Sequence, residues 1–351
     1  MNKENHSSPW LSKWPQAELE QVLSCPVCCG TSRNLLYEDL IDNVFFFALG
    51  KWKLQRCTVC LSAYLDPRPT ETSIVKAYGN YYTHAANSSQ VPEDELNLLL
   101  RVRRRISNGY LNHRFGTRRL PASRMGKWVA KLLPLQRQIL DAEFRYLAKP
   151  SKGQRLLDIG CGNGFFLLLA REAGWLVQGV DLDPVAVASA RQQGLNVSEG
   201  TVNLLESEES CFDAITLSHV IEHAHQPRCL LKAVHRLLKP GGVLYIDTPN
   251  INSVGADFFG RNWRGLEVPR HLVIFNPDSL TRMLAETGFD EVSFRRRTAV
   301  LKYMDESSQK IAEGLSPYGC ETFVIRTNYR KRYSFLSTNH LEFITLLAYK
   351  K

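Results

Sequence analysis

An α/β fold with a doubly wound, mostly parallel sheet is predicted by three observations. From residue 154 onward, apolar runs of strand length alternate with stretches patterned as helices. The first run, Leu156-Leu157-Asp158-Ile159, passes directly into Gly160-Cys161-Gly162-Asn163-Gly164, and a helix pattern opens at Phe165. The second run, Leu176 to Val180, ends on Asp181.

Taken in order, the pattern predicts a strand at 154–159, a helix at 164–173, a strand at 176–181 and a helix at 184–193. A strand follows at 213–218, then a helix at 226–238. Lys239-Pro240-Gly241-Gly242 stops that helix and turns the chain into a strand at 243–248. Two more strands, near 291–298 and 320–327, complete the sheet. Ligands of open sheets of this kind bind beyond the carboxyl ends of the strands, and the glycine turn and Asp181 both fall at that edge.

The glycine spacing lets backbone approach a ligand, since no Cβ intervenes and φ > 0 is allowed. The helix that follows presents free N–H groups and a positive dipole end, which suit a carboxylate. Asp158 suits a cationic amino group. Asp181, about 20 residues on, suits the two hydroxyls of a ribose, and Leu182 beside it suits an adenine face. The dinucleotide fingerprint G-x-G-x-x-G is missed, because Phe165 stands where its third glycine belongs.

The 351 residues have room for one large domain and a smaller one, and a hydrophobic fraction of 44% is ordinary for a globular chain. Met1 to Pro9 is polar and lacks a signal-peptide run. No stretch approaches the ~20 apolar residues of a spanning helix. A cytoplasmic protein, at most peripheral to a membrane, is expected. The organisation predicted is a polar arm (1–20), a metal-binding ribbon (21–70), a basic helical connector (71–150), the α/β domain (151–330) and a C-terminal tail (331–351).

Nine cysteines in such a chain point to metal or buried thiols, not to a disulfide scaffold. Cys25-Pro26-Val27-Cys28 and Cys57-Thr58-Val59-Cys60 are two C-x-x-C knuckles, enough for a closed four-thiolate structural zinc site. Such a site leaves no open position for substrate. The other reading is a set of reduced, unliganded thiols. Cys211, Cys229 and Cys320 look like small core fillers.

The net charge of +9 is concentrated: residues 101–155 hold 15 Lys/Arg against Asp141 and Glu143, so the remainder of the chain is net negative. Within 125–140, Trp128, Leu132, Leu133, Leu135, Ile139 and Leu140 mix with Lys127, Lys131 and Arg137 in the manner of a basic amphipathic helix. Three readings are open for 101–140: a helix packed on the main domain with a solvated charged face, a peripheral contact with an anionic membrane, or a nucleic-acid grip.

Residues 154–327 resemble class I S-adenosylmethionine-dependent methyltransferases, which have a Rossmann-like sheet. The resemblance is carried by Leu156 to Gly164, Gly179-Val180-Asp181-Leu182-Asp183, Phe212-Asp213, His219-Val220-Ile221-Glu222-His223 and Leu238-Lys239-Pro240-Gly241-Gly242. The segment Asn262-Trp263-Arg264 to Pro269-Arg270-His271, then Phe275, resembles the branch that includes ubiquinone-type and sugar methyltransferases. The two cysteine knuckles and Pro67-Arg68-Pro69 resemble the zinc-binding N-terminal region of sugar C-methyltransferases. The resemblance implies that S-adenosyl-L-methionine is bound by Asp158, Gly160, Gly162, Gly164, Asp181, Leu182 and the His219 region. It implies an antiparallel last strand, a place that 320–327 would fill, and proton abstraction by the Glu222–His223 pair. Histidine suits a base near neutral pH; the other reading of His223 is a helix-start residue that orients a loop. Arg270 and His271 fall where the family places substrate-covering residues, to bind an anionic acceptor or to close the loop.

The function expected is methyl transfer to carbon or oxygen of a small-molecule, sugar or lipid-linked acceptor. A nucleic-acid methyltransferase is the rival enzyme, though neither an Asn-Pro-Pro-Tyr type motif nor a cysteine nucleophile is in place. A non-catalytic zinc-bearing binding module is the third reading, and the intact Asp158, glycine turn and Asp181 speak against it.

Overall fold

In the computed structural model, which describes residues 9–79, 97–318 and 337–351, the cysteine-bearing part folds first as short antiparallel strands. β1 (Leu19–Glu20) pairs with β5 (Arg68–Pro69), and between them β2 (Arg33–Leu40), β3 (Trp52–Cys57) and β4 (Ala63–Leu65) form a meander. Three helices follow. α1 (Leu98–Phe115) is capped by the Asn97 side chain, which accepts the Leu100 N–H, and ends at Gly116 in the left-handed region. α2 (Gly126–Leu132) and α3 (Pro134–Glu143) are separated at Leu133, the residue that Pro134 keeps out of helical conformation.

The main sheet then alternates as predicted, with one short strand, β8, that the sequence pattern did not mark: β6 (Arg155–Ile159), α4 (Phe165–Glu172), β7 (Leu176–Asp181), α5 (Pro184–Gln192), β8 (Val197–Glu199), β9 (Phe212–Ser218), α6 (Pro227–Leu237) and β10 (Leu238–Pro249). After α7 (Val254–Phe259) come β11 (Val273–Ile274), α8 (Pro277–Glu286), β12 (Phe289–Phe294), α9 (Leu301–Ala312) and β13 (Phe343–Lys350). The seven strands lie in the order β12-β13-β10-β9-β6-β7-β8, with β10, β9, β6, β7 and β8 parallel and β13 antiparallel to both its neighbours.

The antiparallel strand corrects the sequence reading. The segment 320–327 lies outside the described residues, and 343–350, expected to be tail, is a central strand. It pairs with β10 from Val243↔Tyr349 to Pro249↔Phe343. Phe343 to Ala348 is buried at every position, and a run buried on both faces belongs in a sheet interior.

Each face of the sheet has its own cover. Trp52, Leu54, Tyr64 and Leu65 of the cysteine-bearing part share one cluster with Ile159, Leu217, Ile246 and Ile344. Tyr110, Leu111, Phe115, Leu140 and Phe144 of the helical segment share the other with Leu156, Leu167 and Tyr245. β11 also pairs with β4, so the small sheet, β11-β4-β3-β2, is completed by a strand from the far part of the chain. Cys211 is half-buried and packs at the edge of the first cluster, whereas Cys229 is exposed on α6 and fills no core. Cys320 lies outside the described residues. Among the described residues no helix is long and apolar enough to cross a membrane.

Candidate active site

The turn between β6 and α4 takes the conformation its glycines allow, with φ of 69°, 53° and 81° at Gly160, Gly162 and Gly164. A Cβ at Gly160 would stand 2.5 Å from the Val220 side chain. Asp158, fully buried on β6, accepts the Thr216 hydroxyl at 2.8 Å through Oδ1. Its other oxygen, Oδ2, is buried without a hydrogen-bond partner. Arg145, just past α3, forms an ion pair with Asp158 Oδ1, donates to the Thr216 hydroxyl at 2.6 Å and lies 3.6 Å from the centre of the Phe166 ring.

Asp181, at the end of β7, ties the turn from the other side. Its Oδ2 accepts the Gly162 N–H at 2.7 Å, and its Oδ1 accepts the Asp183 N–H at 2.9 Å. Burial pushes the Asp181 carboxyl above its ordinary range. Leu182 beside it is 71% exposed. A buried carboxylate oxygen lacking a donor, a glycine turn open to close approach and an exposed leucine together fit a ligand with a cationic amine, a carboxylate and an adenosine. S-adenosylmethionine has these parts.

After β9, His219 sits at φ 56° with its ring between two fully buried carboxylates, Nδ1 3.3 Å from Glu222 and Nε2 3.3 Å from Asp247. Asp247 is also ion-paired with Arg297 and accepts the Thr345 hydroxyl at 2.6 Å. Glu222 accepts the Thr248 hydroxyl at 2.9 Å. Burial alone would raise the Glu222 carboxyl, but the His219 hydrogen bond and the nearby imidazoles outweigh it and hold it at about 2.

His223 lies one step further. Its Nδ1 is 2.9 Å from the Arg270 carbonyl oxygen and 3.1 Å from the Tyr78 hydroxyl. A carbonyl only accepts, so Nδ1 is the donor here, and in the neutral ring the lone pair falls on Nε2. The His271 ring meets His223 edge-on at 4.8 Å. His271 donates from Nδ1 to the Gly265 carbonyl at 2.8 Å, and burial holds its imidazole down at about 4. Glu222, His223 and His271 each bring a ligand-capable atom within 4.8 Å of the others.

Arg270 does not reach toward an acceptor. Its guanidinium is fully buried, ion-paired with Asp42 of the β2–β3 loop and with Glu267, and donates to the Ala77 carbonyl at 2.8 Å. Four of its N–H contacts are made inside the protein and none of the side chain is exposed, so it is not placed to meet a substrate anion. His271 is likewise buried, and contacts His223 in place of open space.

The four sulfurs of Cys25, Cys28, Cys57 and Cys60 lie within 4.8 Å of one another, with Cys25 to Cys60 at 3.6 Å and Cys28 to Cys57 at 3.5 Å. A tetrahedron of thiolates at zinc's bond length has edges of about 3.8 Å, so the set fits that ion. The hydrogen bond shared with Cys25 pulls the Cys60 thiol down to about 5 and pushes Cys25 well up, and burial pushes Cys28 up to about 11, so the lowering is confined to Cys60 and is not a property of the whole cage. Asn276, which caps α8, donates to the Cys60 carbonyl at 2.7 Å, and Ser62 to Ser279 at 2.8 Å, so the second knuckle is fastened to the main sheet's helices.

The fold is doubly wound α/β, and the site at the carboxyl edge of its sheet has the parts that S-adenosylmethionine needs. A family model described as a methyltransferase domain matches residues 132–293. A ubiquinone biosynthesis O-methyltransferase of Dinoroseobacter shibae is 32% identical over 173 residues, 45% of this chain and 69% of that one. The enzyme of the same description from Xanthomonas oryzae pv. oryzae is 34% identical over 123 residues, 31% of this chain. The chain spans about half, 52%, of that relative's length. An S-adenosylmethionine-dependent methyltransferase structure from Mesorhizobium loti aligns with a TM-score of 0.43 at 19% identity, covering 61% of this chain and 98% of that one. The chain belongs to the S-adenosylmethionine-dependent methyltransferases.

Sequence reasoning missed Tyr78, Arg145, Asp42, Glu267 and Asp247. Tyr78 and Asp42 come from the cysteine-bearing part, 145 and 228 residues from their partners, and no local periodicity carries such a signal. Asp247 had one: an acidic residue closing an apolar strand at the binding edge.

Proposed function

We propose that the protein methylates a hydroxyl of a small-molecule acceptor, with His223 Nε2 as the base that takes the hydroxyl proton. The observation that carries this reading is the hydrogen bond from His223 Nδ1 to the Arg270 carbonyl, which leaves the other nitrogen basic. O-methylation in the names of the relatives supports oxygen as the acceptor atom. S-adenosylmethionine supplies an electrophilic methyl, and Asp158, the glycine turn and Asp181 would hold it at the carboxyl edge of the sheet. The residues around His223 position it: Tyr78 and the Arg270 carbonyl set its ring, and Glu222 stabilises the imidazolium that forms. In-line transfer otherwise needs only close alignment. The zinc assigned to the four cysteines would be structural, holding β3 and β4 where Tyr78 leaves the ribbon.

Transfer from labelled S-adenosylmethionine into a cell extract tests this. Label in low-mass solutes, lost with His223→Ala, is expected. Label in acid-precipitable RNA would overturn it.

The cluster of Glu222, His223 and His271 favours a second reading, in which a divalent cation there acidifies the hydroxyl. Enzyme treated with a chelator that leaves the cysteine-bound metal in place decides between them. A full rate supports His223 as base; a lost rate restored by magnesium supports the cation.

A further inference from the structure

The segment from Asn97 to Leu140 contains 11 Lys/Arg and no acidic residue. It also exposes large apolar side chains: Leu120 is 81% exposed and Leu132 80%, with Met125, Trp128, Leu133, Leu135 and Ile139 exposed beside them. Met125, Trp128 and Leu132 recur at helical spacing along α2, and Leu135 and Ile139 along α3, so each helix presents an outward apolar line. The inward line is satisfied separately, by Leu140 packed with Tyr110, Leu111 and Phe115. Arg103 donates to Gln136 at 2.7 Å and holds α1 beside α3. Between these helices lies a cleft of about 390 Å³, walled by Trp128 and by His113, Arg114, Lys127 and Arg137. The acid in its wall, Asp141, accepts the Tyr110 hydroxyl at 2.6 Å.

We infer that α1 to α3 form a docking surface for an anionic lipid bilayer. The exposed leucines enter the acyl boundary, and Arg114, Lys127 and Arg137 receive a lipid phosphate in the cleft. Charge complementarity commits the surface to an anionic partner: Arg119 is paired with Glu143 and Glu172, but the cleft sets Arg114, Lys127 and Arg137 against Asp141 as the single acid among its lining residues. The aliphatic side chains decide which anion: a nucleic-acid backbone offers leucine nothing apolar, whereas a bilayer interface offers both headgroup charge and hydrocarbon. The surface lies on the opposite face of the main sheet from the cysteine-bearing part. It concerns where the enzyme works, and holds whether the acceptor atom is oxygen or carbon.

Flotation of the full-length protein with phosphatidylcholine vesicles, with and without about one third phosphatidylglycerol, tests it. Binding to the anionic vesicles about tenfold or more tighter than to neutral ones is expected, weakening with salt. Leu132→Asp with Leu135→Asp should lower it at least tenfold, and so should Lys127→Glu with Arg137→Glu. Unchanged affinity for S-adenosylhomocysteine shows that both variants are folded. Absence of flotation overturns the inference, as does flotation indifferent to the leucine pair. It is equally overturned if the charge variants abolish RNA binding while vesicles are ignored, or if the leucine variant merely converts a dimer to a monomer in sedimentation.

Discussion

Asp42 and Arg270, 228 residues apart, form an ion pair in which both side chains have 0% exposure. Asp42 also accepts three backbone N–H groups from its own loop, Phe45, Phe47 and Ala48, at 3.0–3.1 Å. The Arg270 carbonyl, in turn, sets the His223 ring. The pair therefore links the loop between β2 and β3 to the proposed base.

Removing one partner strands a buried charge. Asp42→Ala should cost about 3–5 kcal/mol in urea unfolding, and Asp42→Leu with Arg270→Met should recover most of it. A loss under 1 kcal/mol for Asp42→Ala would show that water reaches Arg270.

His223→Ala should lower kcat by ~10²–10⁴-fold with S-adenosylhomocysteine affinity unchanged. Tyr78→Phe keeps the ring and loses one hydrogen bond, so a fall of ~2–10-fold is expected. Calorimetry alongside turnover separates these from a binding defect.

Asp181→Ala removes the acceptor of the Gly162 N–H and the proposed ribose ligand. S-adenosylhomocysteine affinity should weaken ~10–100-fold by calorimetry, the scale of a hydrogen bond to a charged group. Equal affinity would remove Asp181 from the cofactor site.

Protein purified without chelator should hold one zinc per chain. Cys57→Ser, at a fully buried knuckle position, should release it and lower the melting temperature, because a closed thiolate site contributes folding free energy. Metal analysis that finds none in the wild type would leave the four thiols as packing alone.

Burial holds His271 at about 4, below its unfolded value of 6.5. Between these values the unfolded chain binds a proton that the folded chain refuses, so stability is full above pH 6.5 and is lost as pH falls. Glu222, held at about 2 against 4.5 unfolded, adds its own loss only below pH 4.5. From pH 6.5 to 4.5 the His271 contribution should be about 2–3 kcal/mol. It should be absent in His271→Asn when melting is followed across that range.

The sequence by itself determined the alternation from β6 to β10 apart from the three-residue β8, because a 3.6-residue and a two-residue hydrophobic period differ within a few residues of each other. It also marked Asp158, the glycine turn, Asp181 and the two cysteine knuckles, since each is a short motif whose chemistry depends on close spacing. Only the tertiary structure decided which strand lies antiparallel in the sheet, because that depends on which run packs between β10 and β12, and no local pattern encodes it. Only it decided between the two readings of Arg270, making it a buried tether, and joined Tyr78 to His223 and Arg145 to Asp158. Those pairings depend on which surfaces pack together. In this chain the cysteine-bearing part lies on one face of the sheet and the helical segment on the other, a distribution set by burial of both against a common core.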